Sequence, residues 1–277
     1  MYFRCLSALL LFALPALSAD GRVLRVCADP NNLPFSNEAG GGFENRLAEL
    51  IASDLKAQVK YTWWSERRSF LKNSLNAGLC DVVLGVPSSL DTVSTTAPYF
   101  RSTYVFVSRA DHALQVTSLN DAVLDKLRIG IHMVGDDYTP PAHLLAQRGL
   151  SSHIVSYRLF GKFGEPNPPA KLIDAVVNGD IDIAIVWGPF AGYFAKQQRT
   201  ALTIAPVSPA HFFSIPFIYD MSAAVRKGDE ALRAEINNAL AHQCQAIHSL
   251  LVQYGIPLVQ EETPRCESSQ PAAAYLH

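Results

Sequence analysis

Five short stretches bring together side chains able to hold a ligand or a protein partner. "ADPNNLPFS" (28–36) offers Asp29, Asn31, Asn32 and Phe35 directly after an apolar run. "WWSERRSF" (63–70) sets Trp64 beside Arg67 and Arg68, aromatic faces for stacking next to planar guanidinium groups for anions. "PYFRSTYVFV" (98–107) contributes Tyr99 and Arg101, "HMVGDDYTPP" (132–141) Asp136 and Asp137, and "WGPF" (187–190) Trp187. Each has a plainer reading beside the functional one. Asp, Asn and Pro build turns, an aspartate ahead of a helix caps it, and a tryptophan or tyrosine at a strand end packs a hinge. No catalytic signature accompanies these residues: the chain has no G-x-S-x-G, H-E-x-x-H, Walker or G-x-G-x-x-G motif. The histidines are scattered, and His242 and His248, six apart on a helical pattern, do not share a face. The expectation is a binding protein without catalytic residues, cofactor or metal.

The elements that must position these residues repeat. "RVLRVCADP" (22–30), "QVKYTWW" (58–64) and "DVVLGV" (81–86) read as strands, separated by helical patterns over 44–57 and 67–78. The pattern restarts with "KLRIGIH" (126–132), "HIVSYRL" (153–159) and "DIDIAIVW" (180–187), with helices over 140–149 and 168–179 between them. In both halves the third strand follows Gly-x-x-Asp, at Gly78–Asp81 and at Gly179–Asp182. Two βαβαβ units predict parallel sheets flanked by helices. A single long helix is expected over 229–255, covering the first unit. The chain then crosses between units near 109–112 and 217–222, and two crossings make a hinge. The predicted fold is α/β and two-lobed, resembling a type II-like periplasmic binding protein. Its two parallel or mixed sheets carry helices on both faces and are joined by two hinge crossovers. Ligands of such folds sit at the carboxyl ends of strands. The expected divisions are 22–109 plus 220–262 for lobe one, 110–219 for lobe two, and a C-terminal tail at 263–277.

Composition agrees. Apolar residues at 49% against 17% charged indicate a sizeable core, and a net charge of −2 without basic runs argues against nucleic acid. Residues 1–19 read as a signal peptide: Arg4, then the apolar "LSALLLFALPAL", too short to span a bilayer, then small residues at Ala19. A monomer exported to the periplasm, with no membrane span, is expected. Cys5 leaves with the signal, and Cys27, Cys80, Cys244 and Cys266 form an even set for an oxidising compartment. The favoured pairing staples the tail as Cys244–Cys266, leaving Cys27–Cys80. A zinc site is the rival, without C-x-x-C or close Cys/His spacing to support it.

"RVCADPNNLPFSNEAGGGFENRLAELIA", "YTWWSERRSFLKNSLNAGLCDVVLGVP" and "APYFRSTYVFV" resemble the quinoprotein-dehydrogenase-associated branch of the solute-binding proteins, the J proteins of methanol oxidation of the MxaJ and XoxJ type. The similarity runs over most of residues 22–258. It implies a Gram-negative periplasm. It also implies a pyrroloquinoline-quinone (PQQ)-dependent alcohol (methanol) dehydrogenase as partner, calcium- or lanthanide-dependent, with that enzyme's c-type cytochrome as a further candidate. The chain has no C-x-x-C-H and is not that cytochrome. It departs from the wider amino-acid-binding family, whose members usually carry an arginine for the ligand carboxylate and an aspartate for its amine. The comparable stretches here, 85–99 and 185–193, hold no arginine or lysine and no carboxylate respectively. A buried charge without a partner is costly, so a free amino acid is a poor ligand. The function expected is an accessory protein that uses its interlobe cleft to bind the dehydrogenase and assist its maturation or activation. The alternative is a receptor for a small metabolite, a quinone cofactor or a metal complex in ABC-type uptake or sensing.

Overall fold

A computed structural model describes residues 21–65, 69–135, 137–160 and 165–259. The first lobe is built from β1 (Arg22–Ala28), the short pair β2 (Asn31–Asn32) and β3 (Ser36–Asn37), helix α1 (Phe43–Asp54), β4 (Ala57–Trp63), the helical turn α2 (Phe70–Asn73), β5 (Val82–Pro87) and β6 (Ser94–Thr95). A ten-residue strand, β7 (Phe100–Arg109), leads into the second lobe. There follow β8 (Ile129–Val134), β9 (Asp137–Tyr138), α3 (Pro141–Gln147), β10 (Ile154–Arg158), α4 (Lys171–Asn178), β11 (Ile183–Trp187), α5 (Gly188–Ala195) and β12 (Leu202–Pro206). After a small hairpin of β13 (His211–Phe212) and β14 (Ile215–Pro216), the strand β15 (Ile218–Val225) returns to the first lobe, closed by α6 (Glu230–His242) and α7 (Cys244–Gln253).

The strand order is β10-β8-β11-β7-β15-β5-β1-β4, so the two lobe sheets are continuous through β7 and β15. Within each lobe the strands of the βαβαβ unit run parallel; β7 and β15 are antiparallel to their neighbours. β7 changes partner halfway along one edge. Phe100–Thr103 pair with β15, and Val105–Arg109 pair with β12.

The repeated Gly-x-x-Asp has one structural cause in both lobes. Gly78 and Gly179 take left-handed φ values of 76° and 77°, which glycine adopts without a Cβ penalty and which ends the preceding helix or turn. Three residues on, the aspartate clamps an arginine at the first strand of its own lobe. Arg25 Nε donates to Asp81 Oδ2 at 3.0 Å, its Nη2 donates to Asp81 Oδ1, and its Nη1 donates to the Gly78 carbonyl at 3.1 Å. Arg128 repeats this with Asp182 Oδ1 at 2.8 Å and the Gly179 carbonyl at 2.9 Å. The hydrogen bond from Arg128 holds the Asp182 carboxyl below the usual range; at Asp81 burial pulls upward and the Arg25 hydrogen bonds outweigh it. Beside the first clamp the Cys27–Cys80 disulfide ties β1 to the approach of β5, as expected. Cys244 is also disulfide-bonded, and Cys266, its expected partner, lies outside the described residues.

Two expected helices differ. Of the helix expected over 67–78, the described residues form one turn, Phe70–Asn73: Ser69 before it is left-handed at φ 70°, and after it Ser74, at φ −118° and ψ −79°, departs from helical geometry, so the Asn76 N–H goes to the Leu71 carbonyl. The long helix over 229–255 divides at Gln243, whose φ of −90° and ψ of 7° leave the helical region. The bend lets α6 and α7 both pack on α1, burying Ile236, Leu240, Ile247 and Leu251.

The segment after α7 adds a third connection to the two expected crossings. Val259 N–H donates to the Arg101 carbonyl at 3.0 Å, and Ser102 Oγ donates to the Pro257 carbonyl at 2.6 Å. On the second-lobe side, Lys196 Nζ donates to the Gln253 carbonyl at 2.9 Å, and Tyr193 of α5 stacks on Tyr254 with ring centroids 5.8 Å apart. The backbones come so close that a Cβ on Gly192 would lie 1.8 Å from the Gly255 carbonyl oxygen. Gly192→Ala is therefore expected to destabilise the protein by roughly 1–3 kcal/mol through this overpacking. Gly21→Ala, at a position with open space, should stay within about 0.5 kcal/mol of wild type. Urea unfolding midpoints of the two variants check the difference.

Candidate functional site

The carboxyl ends of β1, β4 and β5 in the first lobe and of β8 and β11 in the second carry the loops that contain most of the candidate residues. The loop after β1 is tightly set. Asp29 Oδ1 accepts the Asn31 N–H at 2.7 Å, and Ser36 Oγ donates to the Asp29 carbonyl at 2.8 Å. The first two N–H groups of α1 donate back into this loop, Phe43 to the Pro34 carbonyl and Glu44 to the Phe35 carbonyl, so the helix start that would otherwise lack partners fixes the loop. Gly42 is required there: a Cβ would sit 2.0 Å from the Phe35 carbonyl oxygen.

This loop meets the second lobe directly. Asn31 Nδ2 donates to the Glu165 carbonyl at 2.5 Å. The Phe35 ring packs edge-on against Phe190 of α5 at 5.2 Å and lies tilted against Phe43 at 5.3 Å. Phe190 in turn meets the edge of His132, on β8, at 5.5 Å. His132 is 2% exposed, and its Nε2–H donates to the Pro169 carbonyl at 3.3 Å. Asn32 is buried in the same loop.

A second aromatic group sits where the lobes join. Trp187, at the end of β11, contacts Tyr104 of β7 at 5.4 Å and Tyr219 of β15 at 5.7 Å. Burial pushes both phenols up, Tyr104 far above its ordinary range. Three residues before Tyr104 on β7, Arg101 makes a two-pronged bond to Asp220, Nε to Oδ1 at 2.7 Å and Nη2 to Oδ2 at 2.8 Å, across paired positions of β7 and β15. The planar fork favours this geometry and locks the two crossing strands in register.

The remaining candidates lie apart. Tyr99 is buried in the first-lobe core, and its hydroxyl accepts the Gly85 N–H at 2.9 Å. Trp64 is 41% exposed at the end of β4, and Asp137 is exposed in β9. Arg67, Arg68 and Asp136 lie outside the described residues. The structure thus brings together Asp29, Asn31, Asn32 and Phe35 at the interlobe contact, while Trp187 joins Tyr104 and Tyr219 at the joint and Arg101 pairs separately with Asp220. Sequence reasoning passed over His132 and Phe190, although both stand at the ends of quoted stretches. The signal was positional: each lies within or just after an apolar second-lobe strand, where a side chain must face either the core or the other lobe. Among the described residues no group of three or more His, Cys, Asp or Glu is placed to hold a metal ion, and no helix is long and apolar enough to cross a membrane.

Burial of His132 depresses its pKa from 6.5 to about 4, with the bond to Pro169 working weakly the other way. Above pH 6.5 the ring is neutral in both folded and unfolded chains and adds no pH dependence. Between about 6.5 and 4 the unfolded chain binds the proton and the folded one does not, so stability falls as the pH drops through this window. The loss should reach about 3 kcal/mol at pH 4. Urea titrations of wild type and His132→Gln across pH 4–8 check this, the variant showing the shallower slope.

Residues 24–248 match the model of the bacterial extracellular solute-binding proteins, family 3. The chain is similar to protein MoxJ of Methylorubrum extorquens, with 31% identity over 260 residues that cover 89% of this chain and 85% of that protein. Among solved structures it resembles MxaJ from Methlophaga aminisulfidivorans MPT, at a TM-score of 0.72 and 27% identity over 85% of this chain and 100% of the other. It also resembles the periplasmic binding protein XoxJ from Methylobacterium extorquens AM1, at a TM-score of 0.70 and 31% identity over 86% and 100% of the two chains.

Proposed function

The chain belongs to the bacterial extracellular solute-binding proteins, family 3, as a periplasmic binding protein of the MxaJ/XoxJ type, and from that membership we propose that it is a non-enzymatic accessory protein of a PQQ-dependent alcohol (methanol) dehydrogenase. On this reading residues 1–19 direct export to the periplasm. Lobes 22–109 plus 220–262 and 110–219 then receive part of the dehydrogenase at the mouth of the cleft between them and assist its maturation or activation. The dehydrogenase's c-type cytochrome is a second candidate for the same surface.

The observation that carries the reading is Trp187. It stands at the carboxyl end of β11, where an amino-acid receptor needs a carboxylate for its ligand's amine, and it is wedged between Tyr104 and Tyr219. The matching loop after β1 is occupied by the chain's own second lobe through Phe35–Phe190 and Asn31–Glu165. Aromatic and neutral polar side chains at such a site suit protein contacts better than a small zwitterion, whose two charges would be buried without partners.

Two measurements test this. Biolayer interferometry of the mature protein against purified quinoprotein methanol dehydrogenase, with and without its cofactor and metal, should give saturable binding to at least one form; flat traces for both would end the proposal. A thermal-shift panel of the common amino acids should leave Tm unchanged within about a degree. A ligand present at 100 times its Kd stabilises by about 2.7 kcal/mol, so a receptor would reveal itself.

A further inference from the structure

One edge of β7 is covered in succession by β15 and β12, and the chain between those strands is forced out of the sheet. It leaves at Val207, whose N–H donates to the Tyr104 carbonyl at 3.0 Å. It returns at Phe217, whose carbonyl accepts the Tyr104 N–H at 3.0 Å. The extruded segment forms the two-stranded hairpin of β13 and β14, in register His211–Pro216 and Phe212–Ile215. Its base is firm: Phe217 is fully buried, and Phe212 and Ile215 pack on the second-lobe core. Its tip is Phe213, 77% exposed, the most exposed large apolar residue among those described.

Three properties of this tip point outward. Phe213 has a φ of 49°, a left-handed conformation that a bulky side chain seldom adopts and that costs the folded chain free energy. Its ring lies 4.6 Å from that of Phe212, so the knob is held in place before anything binds. The ribbon "SPAHFFSIPF" (208–217) contains no lysine, arginine, aspartate or glutamate. A surface for anionic lipid would carry basic residues beside the apolar ones. A charge-free aromatic knob on a rigid ribbon instead fits a neutral, apolar pocket on a folded protein, where a buried aromatic is the commonest strong anchor.

We propose that the 211–216 hairpin is a docking element and that Phe213 is its anchor, seated in an apolar pocket of the quinoprotein dehydrogenase. The inference rests on the partner assigned above and names the surface that meets it. The base of the ribbon is pinned to Tyr104, whose ring contacts Trp187, so the hairpin springs from the same joint as Trp187.

The test measures affinity for purified quinoprotein methanol dehydrogenase, in its cofactor-loaded and cofactor-free forms, of wild type, Phe213→Ala, Phe213→Gly and Val252→Ala. Val252 is an exposed apolar residue on α7, 56% exposed, and serves as control. The expected result is at least a tenfold loss for both Phe213 variants, a change within twofold for Val252→Ala, and a Tm for Phe213→Gly equal to or above that of wild type. Wild-type binding with both Phe213 variants within twofold would overturn this proposal alone. No wild-type binding to either form would overturn the partner assignment and this proposal with it. A Tm lowered by several degrees in both Phe213 variants would make the ring a packing residue and overturn the docking role. So would binding of wild type, lost in Phe213→Ala, to vesicles containing phosphatidylglycerol rather than to the dehydrogenase.

Discussion

β7 has to satisfy hydrogen bonds along both edges and feed two cores at once, and the rest of the molecule is arranged around that demand. Its side chains alternate: Val105 and Val107 enter one hydrophobic core, and Tyr104 and Phe106 enter another. The period of two along a strand makes this division automatic. One edge is shared between β15 and β12, the other is taken by β11. The first of these cores runs from Leu47 and Ile51 of α1 to Leu172 and Val176 of α4. The lobes therefore share buried surface instead of meeting only at solvent-exposed loops. The strap formed by residues 254–259 adds to the same restraint.

That restraint bears on what the interlobe surface can do. A receptor that closes around a small ligand needs lobes that part easily and charged groups waiting between them. Here Phe35 touches Phe190, Asn31 bonds to Glu165, and Arg101 is consumed by Asp220. The first two tie the loop after β1 to the second lobe, and the third locks together the two strands that cross between the lobes. Lobes joined in this way give the body defined outer contours. The hairpin at 211–216 is one such contour, and the packing constraint on β7 creates it.

The Gly-x-x-Asp repeat shows how a motif that looks functional is claimed by architecture. Both aspartates bind an arginine in or directly before the first strand of their own lobe, and both glycines supply a left-handed turn and a carbonyl acceptor for the same arginine. The clamp sits at the amino end of the strands, opposite the end where the candidate loops gather. A residue pattern recurring at equivalent places in two lobes marks a shared solution to strand pairing, and the strands end differently, β5 at Pro87 and β11 at Trp187.

Local and near-local physics made a good part of this protein readable from its residues. Apolar runs and helical spacing located the strands of both βαβαβ units. Gly179 marks where α4 stops, and Cys27–Cys80 is the pair left once Cys244–Cys266 is favoured among the three pairings that four cysteines allow. These features depend on backbone preferences and on spacing along one segment. What spacing does not encode is which distant segments share an edge or a core. That α6 breaks at Gln243 follows from the surface of α1 it must follow. The single-turn length of α2 reflects the left-handed Ser69 before it and the departure of Ser74 from helical geometry after it. The ends of Arg101 and Phe35 in an ion pair and an aromatic contact were decided by partners more than a hundred residues away, Asp220 and Phe190. His132 and Phe213 took their roles in the same way: one is buried and the other thrust outward because the fold leaves each strand end a single available side.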